Sequence, residues 1–387
     1  MHEFIPYARQ DIRDEDVEAV LAVLRSDWLT QGPTVPAFED AVAGKCGSRH
    51  AVAVNSATSA LHIACLALGV EPGDRVWTSP ITFVASANCA RYCGAQVDFV
   101  DIDPLTFNLC AVALERKLAE AQVRGCLPKV VIAVHLGGQA CDLAALDRLR
   151  QRFGFRVIED ASHALGGSYR NKPVGNGRHS DITVFSFHPV KIITTAEGGM
   201  ALTNDPSLHE RMARLRTHGI VRDPQAMESE PEGPWYYEQV ELGYNYRMTD
   251  LHSALGLSQL HRLEAFVRRR NELARMYDDA FKGLPMATQA LPAQTVSARH
   301  LYIIRVDAAR RRAVFEDLRS DGIGVNVHYM PVHLQPYYRA QGFRPGDFPQ
   351  AEAYGREAIS LPLFPSMSDA QHARVVDCVR ARLRDAA

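Results

Sequence analysis

Nowhere in the 387 residues does an apolar run approach the roughly 20 residues that a membrane-spanning helix needs. An excess of one charge is also missing. The 43 Lys and Arg nearly balance the 45 Asp and Glu, for a formal net charge of -2. No general attraction to nucleic acid or to an anionic membrane surface is therefore expected. The amino-terminal run Met1-His2-Glu3-Phe4-Ile5-Pro6 lacks the basic-then-apolar order of a signal peptide, so a cytoplasmic protein is expected. Cysteine is sparse and scattered, at Cys46, Cys65, Cys89, Cys93, Cys110, Cys126, Cys141 and Cys378. Only Cys89 and Cys93 are close, at one-turn helical spacing. A zinc or redox pair needs more partners at fixed spacing, so no metal site is predicted and reduced core thiols are expected. The chain also has no Gly-Lys-Ser/Thr phosphate loop, no internal repeat and no low-complexity tract.

What is present is a substantial apolar fraction, 47%, in alternating short segments. The patterns predict helices over 12–24, 35–43, 58–68, 83–92, 114–121 and 143–152. Strands are predicted over 51–54, 75–78, 96–100, 130–134, 157–159 and 182–187. This alternation implies an α/β fold with a mostly parallel sheet and helices on both faces. Beyond Asn204 the pattern predicts a helix over 208–216, a loop over 224–234 and one long helix, or two with a bend, over 248–277. A smaller α+β region follows, with strands over 300–306 and 325–328 and helices over 310–321 and 352–357. The expected division is a large domain over 1–260 and a small carboxy-terminal domain over 261–387.

Three segments carry chemistry. Asn55-Ser56-Ala57-Thr58-Ser59-Ala60-Leu61 joins a strand to a helix. Its first free N–H groups and hydroxyls suit a phosphate, although the same residues also make an ordinary helix cap. Val157-Ile158-Glu159-Asp160-Ala161-Ser162-His163 puts Asp160 at the end of an apolar strand. There it either holds a proton on a pyridine nitrogen or caps the next turn. His163, three residues on, either faces the same pocket or serves as a structural hydrogen-bond partner. Ser186-Phe187-His188-Pro189-Val190-Lys191 sets one lysine among apolar residues, with Ser186 five residues before it. Phe83 either stacks on a ring or fills the core. A phosphate cradle, a carboxylate and a lysine, in that order, are what pyridoxal 5'-phosphate requires.

Together with Gly243-Tyr244-Asn245-Tyr246-Arg247-Met248, these segments resemble the DegT/DnrJ/EryC1/StrS family of sugar-nucleotide aminotransferases. The resemblance spans essentially the whole chain. It implies an aspartate-aminotransferase-like fold of type I, with Lys191 and Asp160 as catalytic residues. The implied cofactor contacts are Ala57, Thr58, Phe83, Asp160, His163, Ser186, Lys191 and Asn245. Asn245 would reach the cofactor phosphate of a neighbouring subunit, so a homodimer with shared sites is expected. The implied substrate contacts are Tyr7, Asp27, Trp28, Leu29, Thr30, Ala57, Ser186, Asn245, Asn326, Val327, His328 and Tyr329.

Within the family, Leu29 to Pro33, Pro80 to Asn88, Ser186 to His188 and Val327 to Pro331 point to one branch. That branch aminates C4 of UDP-2-acetamido-2,6-dideoxy-β-L-arabino-hex-4-ulose with L-glutamate as donor. The stretch from Arg222 to Tyr237 looks long for the family. A related dehydratase would carry His where Lys191 stands.

Overall fold

The computed structural model describes residues 3–384; Met1 and His2, at the head of the amino-terminal run read above, lie outside them. Helices α1 (Asp14–Leu24) and α2 (Thr34–Cys46) lead into β1 (His50–Val54) and α3 (Ala57–Ala67). Then come β2 (Arg75–Thr78), α4 (Ala85–Tyr92), β3 (Gln96–Phe99), α5 (Ala111–Val123), β4 (Val130–Val134), α6 (Leu143–Phe153) and β5 (Arg156–Asp160). With β6 (Ile182–Ser186) and β7 (Gly199–Thr203) they build a seven-stranded sheet ordered β1-β7-β6-β5-β4-β2-β3.

Strands β6, β5, β4, β2 and β3 pair in parallel, as the βα alternation implies. Strand β7 runs against both of its neighbours, so β1 points the same way as the parallel set. The carboxyl ends of β1, β4, β5 and β6 therefore open on one edge of the sheet, the edge at which open α/β sheets bind ligands. The sequence reading missed β7. Its five residues, Gly-Met-Ala-Leu-Thr, have one β-branched side chain and follow a polar turn, so no strand signal stands out.

Strand β4, Val-Val-Ile-Ala-Val, is buried throughout, as expected where both faces of a strand are covered. The two-residue period divides its side chains between two cores. Val131 and Ala133 join Phe38, Phe185 and Phe187 on one face. Val130 and Ile132 join Ile63 and Phe99 on the other.

After α7 (Pro206–Arg216), a two-stranded ribbon pairs Ile220 and Val221 with Gln239 and Glu238, closing the long loop at its base. The predicted 248–277 segment takes the two-helix form, α8 (Asp250–Leu260) and α9 (Leu263–Ala280), with the bend at His261 and Arg262. A small antiparallel sheet follows, in the order β8 (Ala287–Thr288), β9 (Tyr302–Arg305), β10 (Ala358–Leu361). Helices α10 (Arg311–Ser320), α11 (Pro336–Arg339), α12 (Pro349–Glu357) and α13 (Asp369–Arg384) complete the chain. Leu273, Tyr277, Tyr302, Leu318 and Val379 form a third core, which Ile5 also enters.

One predicted strand does not form. In 325–328 only Asn326 bridges to Ser360. The Asn326 side-chain oxygen takes the Val327 N–H at 2.8 Å, removing a donor that a ladder would use. The chain then turns toward the sheet edge.

Candidate active site

A cavity of about 550 Å³ lies at the carboxyl ends of β4, β5 and β6, lined by Val134, Asp160 and Ser186. That is the size of a small-ligand pocket. A larger cavity of about 690 Å³, between the Ser168–Pro173 hairpin and α9, holds none of the predicted site residues.

Helix α3 begins at this edge. Ser56 caps it in extended conformation, its Oγ accepting the Ser59 N–H at 3.1 Å. The Ala57 and Thr58 N–H groups take no bond from that cap, and Ala57 and Thr58 line the cavity. Strand β7 must come very close here. A Cβ on Gly199 would lie 2.4 Å from the Ala57 nitrogen, so only glycine lets β7 pass the helix start.

The Asp160 carboxylate is buried and aimed by hydroxyls. Oδ2 accepts from Ser86 Oγ at 2.6 Å, and Oδ1 accepts from Ser162 Oγ at 2.6 Å and from Ser162 N at 3.2 Å. Ser86 is itself paired with Thr82 at 2.6 Å. Lys191 faces the same cavity, and its amine makes no hydrogen bond among the described residues. Burial lowers its pKa to about 8, against the opposing pull of the Asp160 charge. Such an amine is far more often neutral, and hence nucleophilic or basic, than a solvated lysine.

Tyr7, Asn326, Val327, His328 and Tyr329 close the cavity from the small sheet's side. His328 Nδ1 lies 2.9 Å from Ser360 Oγ, and its backbone carbonyl accepts from Tyr354 Oη at 2.6 Å. Burial and the Lys191 charge lower the His328 pKa to about 3, so the ring is neutral. Phe83 stands at the mouth, 58% exposed, with its ring 6.2 Å from that of Tyr329. It has the open face that a stacking role needs; the core alternative does not hold. His163 lies beneath, between Tyr329 and His300.

Not every predicted residue meets here. Asp27, Trp28, Leu29 and Thr30 are exposed and do not line the cavity. The Leu29 carbonyl accepts the Asp250 N–H, and Thr30 bridges to Thr249, pinning the stretch to the start of α8. Asn245 is also exposed and outside the cavity; it bridges to Thr217. Its neighbour Tyr246 accepts the Asn55 N–H at 2.9 Å, so the segment runs beside the β1–α3 junction. Sequence reasoning overlooked Ser86, Ser162, Glu197 and His300. Ser86 and Ser162 both stood inside the quoted segments, and for Ser162 the available signal was its place two residues after Asp160; nothing in the sequence tied Ser86 to Asp160. Glu197 stood in the polar Thr194–Gly199 turn that follows Lys191; nothing in the sequence marked His300.

These residues fit pyridoxal phosphate. The helix start suits its phosphate, the hydroxyl-braced Asp160 suits its ring nitrogen, and the Lys191 amine is unpaired. Arranged at the carboxyl edge of a mostly parallel sheet, they define a pyridoxal-phosphate-dependent transferase of fold type I.

The chain belongs to the DegT/DnrJ/EryC1/StrS aminotransferase family, whose model matches residues 10–380. It is 40% identical to the spore coat polysaccharide biosynthesis protein SpsC of Bacillus subtilis, over 98% of this chain and 97% of that one. It superposes on Helicobacter pylori PseC, an aminotransferase involved in the biosynthesis of pseudoaminic acid, with a TM-score of 0.90 and 32% identity, covering 99% and 100% of the two chains. The putative sugar aminotransferase Spr1654 of Streptococcus pneumoniae in its PLP form gives a TM-score of 0.89 at 31% identity, covering 99% of each chain. The protein is thus a pyridoxal-phosphate-dependent sugar aminotransferase.

Proposed function

We propose that this enzyme transfers the amino group of L-glutamate to C4 of UDP-2-acetamido-2,6-dideoxy-β-L-arabino-hex-4-ulose, giving UDP-4-amino-4,6-dideoxy-N-acetyl-β-L-altrosamine. The observation that carries this reading is one cavity in which Tyr7, Asn326, His328 and Tyr329 face Lys191 and Asp160. The likeness to PseC supports it. The likeness to SpsC favours a second reading, a different keto nucleotide sugar of polysaccharide synthesis.

When bound, pyridoxal phosphate supplies the electron sink for moving an amino group from an amino acid to a ketone. The protein's part is placement and proton handling. Ala57, Thr58 and Ser186 hold the phosphate end, and Asp160 keeps a proton on the ring nitrogen. Phe83 covers the ring face, and Lys191 attaches the cofactor and later carries a proton at its amine. Asp27 to Thr30 and Asn245 belong to the site through a second subunit. Trp28, Leu29, Tyr92, Trp235 and Leu242 are exposed apolar side chains, which supports a homodimer. We also read 1–260 as the large domain and 261–387 as the small one.

A panel of UDP- and dTDP-linked keto sugars, with product structures read by NMR, tests the substrate. The UDP-L-sugar should be aminated, and analogues without the 2-acetamido group should be poor, since polar groups built to meet it are left unpaired. Efficient use of dTDP-4-keto-6-deoxy-D-glucose with the UDP-L-sugar ignored would move the enzyme to the second reading.

A further inference from the structure

The hydrogen bonds around His163 fix the direction of a proton that no residue role above requires. His163 is 5% exposed and receives the backbone N–H of Gly137 on its Nδ1, at 3.3 Å. That donor is held rigidly. Gly137 has φ of 68°, in the left-handed region, and the turn carrying it is tied down on both sides. Asn108 Oδ1 accepts the Leu136 N–H at 3.0 Å, and Gln289 Nε2 donates to the Leu136 carbonyl at 3.0 Å. A ring nitrogen that accepts from an amide carries no hydrogen. The proton of the neutral imidazole is therefore on Nε2.

Nε2 lies 3.2 Å from Tyr329 Oη, so His163 donates and Tyr329 accepts. The hydroxyl's own hydrogen then points elsewhere, and it has no partner among the described residues. Tyr329 lines the cavity, so that hydrogen faces the bound molecule. Protonation of His163 would break the arrangement by setting a hydrogen against the Gly137 amide. The surroundings resist it: burial comes first, then the charge of Lys191. The His300 ring, 4.3 Å away, is itself buried and kept neutral. Tyr329 likewise keeps its proton, through burial and the nearby Asp160 charge.

We propose that the Gly137–His163 contact makes Tyr329 an obligate hydrogen-bond donor to an oxygen of the bound molecule, with His163 as the positioning residue. The acceptor is a carbonyl or phenolate oxygen, belonging either to the keto sugar or to the cofactor ring. This deepens the reading of the same site and rests on its being an aminotransferase.

The test has three arms. Nitrogen-15 NMR of histidine-labelled, cofactor-free protein, assigned by difference from His163→Gln, should show His163 neutral with its proton on Nε2 at pH 7. A proton on Nδ1, or an imidazolium, overturns the proposal whatever the substrate is. Next, His163→Gln keeps one acceptor and one donor, whereas His163→Leu keeps neither. The Leu variant should lose about 10- to 100-fold in rate and the Gln variant only a few-fold; equal losses overturn the positioning role.

Finally, Tyr329→Phe should lose about as much as His163→Leu. A loss confined to the keto-sugar half-reaction identifies the sugar oxygen as acceptor. A shifted absorption band of the bound cofactor identifies the ring oxygen. No change in either overturns the proposal. Failure of the wild type to release 2-oxoglutarate from glutamate would instead count against the aminotransferase reading.

Discussion

Glu159 and Asp160 are neighbours on β5, both buried carboxylates, yet they face opposite sides of the sheet and do different work. On the Glu159 side both carboxylate oxygens are bonded by protein. His135 Nε2 lies 2.8 Å away, Ser180 Oγ donates at 2.5 Å and Thr183 Oγ1 at 3.3 Å. His135 receives the Cys141 N–H on Nδ1, so its Nε2–H points at Glu159. Burial works against the charge, but these bonds hold Glu159 below its ordinary pKa. On the Asp160 side, two hydroxyls and one N–H aim the carboxylate, and an open cavity with an unpaired lysine lies beyond it. A closed network stabilises, whereas a braced but open one is available to a ligand. The comparison separates structure from chemistry at adjacent positions by strand parity alone.

The comparison breaks first at Lys191, which belongs to the Asp160 side. Lys191→Ala should abolish covalent attachment of pyridoxal phosphate and lower turnover by about 10⁴-fold or more, since no other amine takes over the nucleophile's role. Its melting temperature without cofactor should stay within a few degrees of wild type, because the side chain makes no hydrogen bond there. Borohydride trapping followed by peptide mapping checks the site of attachment. An adduct on another lysine would end the assignment.

The carboxylates themselves give the next largest effect. Asp160→Asn should still bind cofactor but lose about 10²- to 10³-fold in turnover, as a neutral amide cannot hold the ring proton. Its stability should change little, since Ser86 and Ser162 hydroxyls can turn to meet an amide. Glu159→Gln should do the reverse, costing about 1–3 kcal/mol of stability through a disturbed buried network while sparing most of the rate. Melting curves and steady-state rates on both variants decide it. A Glu159→Gln protein that melts normally but is dead would show that parity does not divide the roles.

Much of this was legible in the residues, and the gaps have physical causes. Strands β2 and β4 fall on the predicted residues because Val76-Trp77-Thr78 and Val130–Val134 are short β-branched and aromatic runs bounded by turn residues. Lys191, Asp160, Ser186 and His163 were found because each lies at or just after a strand end, and those ends share one edge of the sheet. The antiparallel sense of β7 was not legible, since direction is a property of pairing and not of composition. Nor was the failure of 325–328 as a strand, where one Asn side chain competes for the backbone. Helix α13 and strand β10 went unread because charged and small residues interrupt their apolar patterns. His300 was hidden for another reason. It enters the site from the small sheet's side, and nothing local marks a residue brought in by long-range packing.

Asn245 sharpens the comparison by asking whether the Asp160 side is complete within one chain. It is exposed here and does not line the cavity, whereas the role proposed for it lies at a partner's phosphate site. Mixing inactive Lys191→Ala with inactive Asn245→Asp protein should restore activity if Asn245 acts across the dimer. Equal amounts exchanged at random give heterodimers whose two sites are unequal, one carrying both lesions and one neither, so about a quarter of wild-type activity should return. No recovery, with heterodimers shown by mass to form, would place Asn245 in its own chain's site.

The smallest effect concerns pH, and it reads the Asp160 side directly. With its pKa lowered to about 8, Lys191 has a neutral amine in about a tenth of molecules at pH 7. Attachment of pyridoxal phosphate to cofactor-free protein should therefore speed up about tenfold between pH 7 and 9, with a midpoint near the folded-state value. Burial sets the downward shift and Asp160 opposes it. Asp160→Asn removes the opposing charge, so its midpoint should move to lower pH. Glu159 is not among the causes of the Lys191 shift, so Glu159→Gln should leave the midpoint where it is. Stopped-flow absorbance of attachment across this range checks all three proteins. A midpoint near 10 in the wild type would show that the amine is solvated. An unchanged midpoint with Asp160→Asn would mean that the carboxylate does not sense the lysine, and the contrast between the two sides of β5 would lose its electrostatic basis.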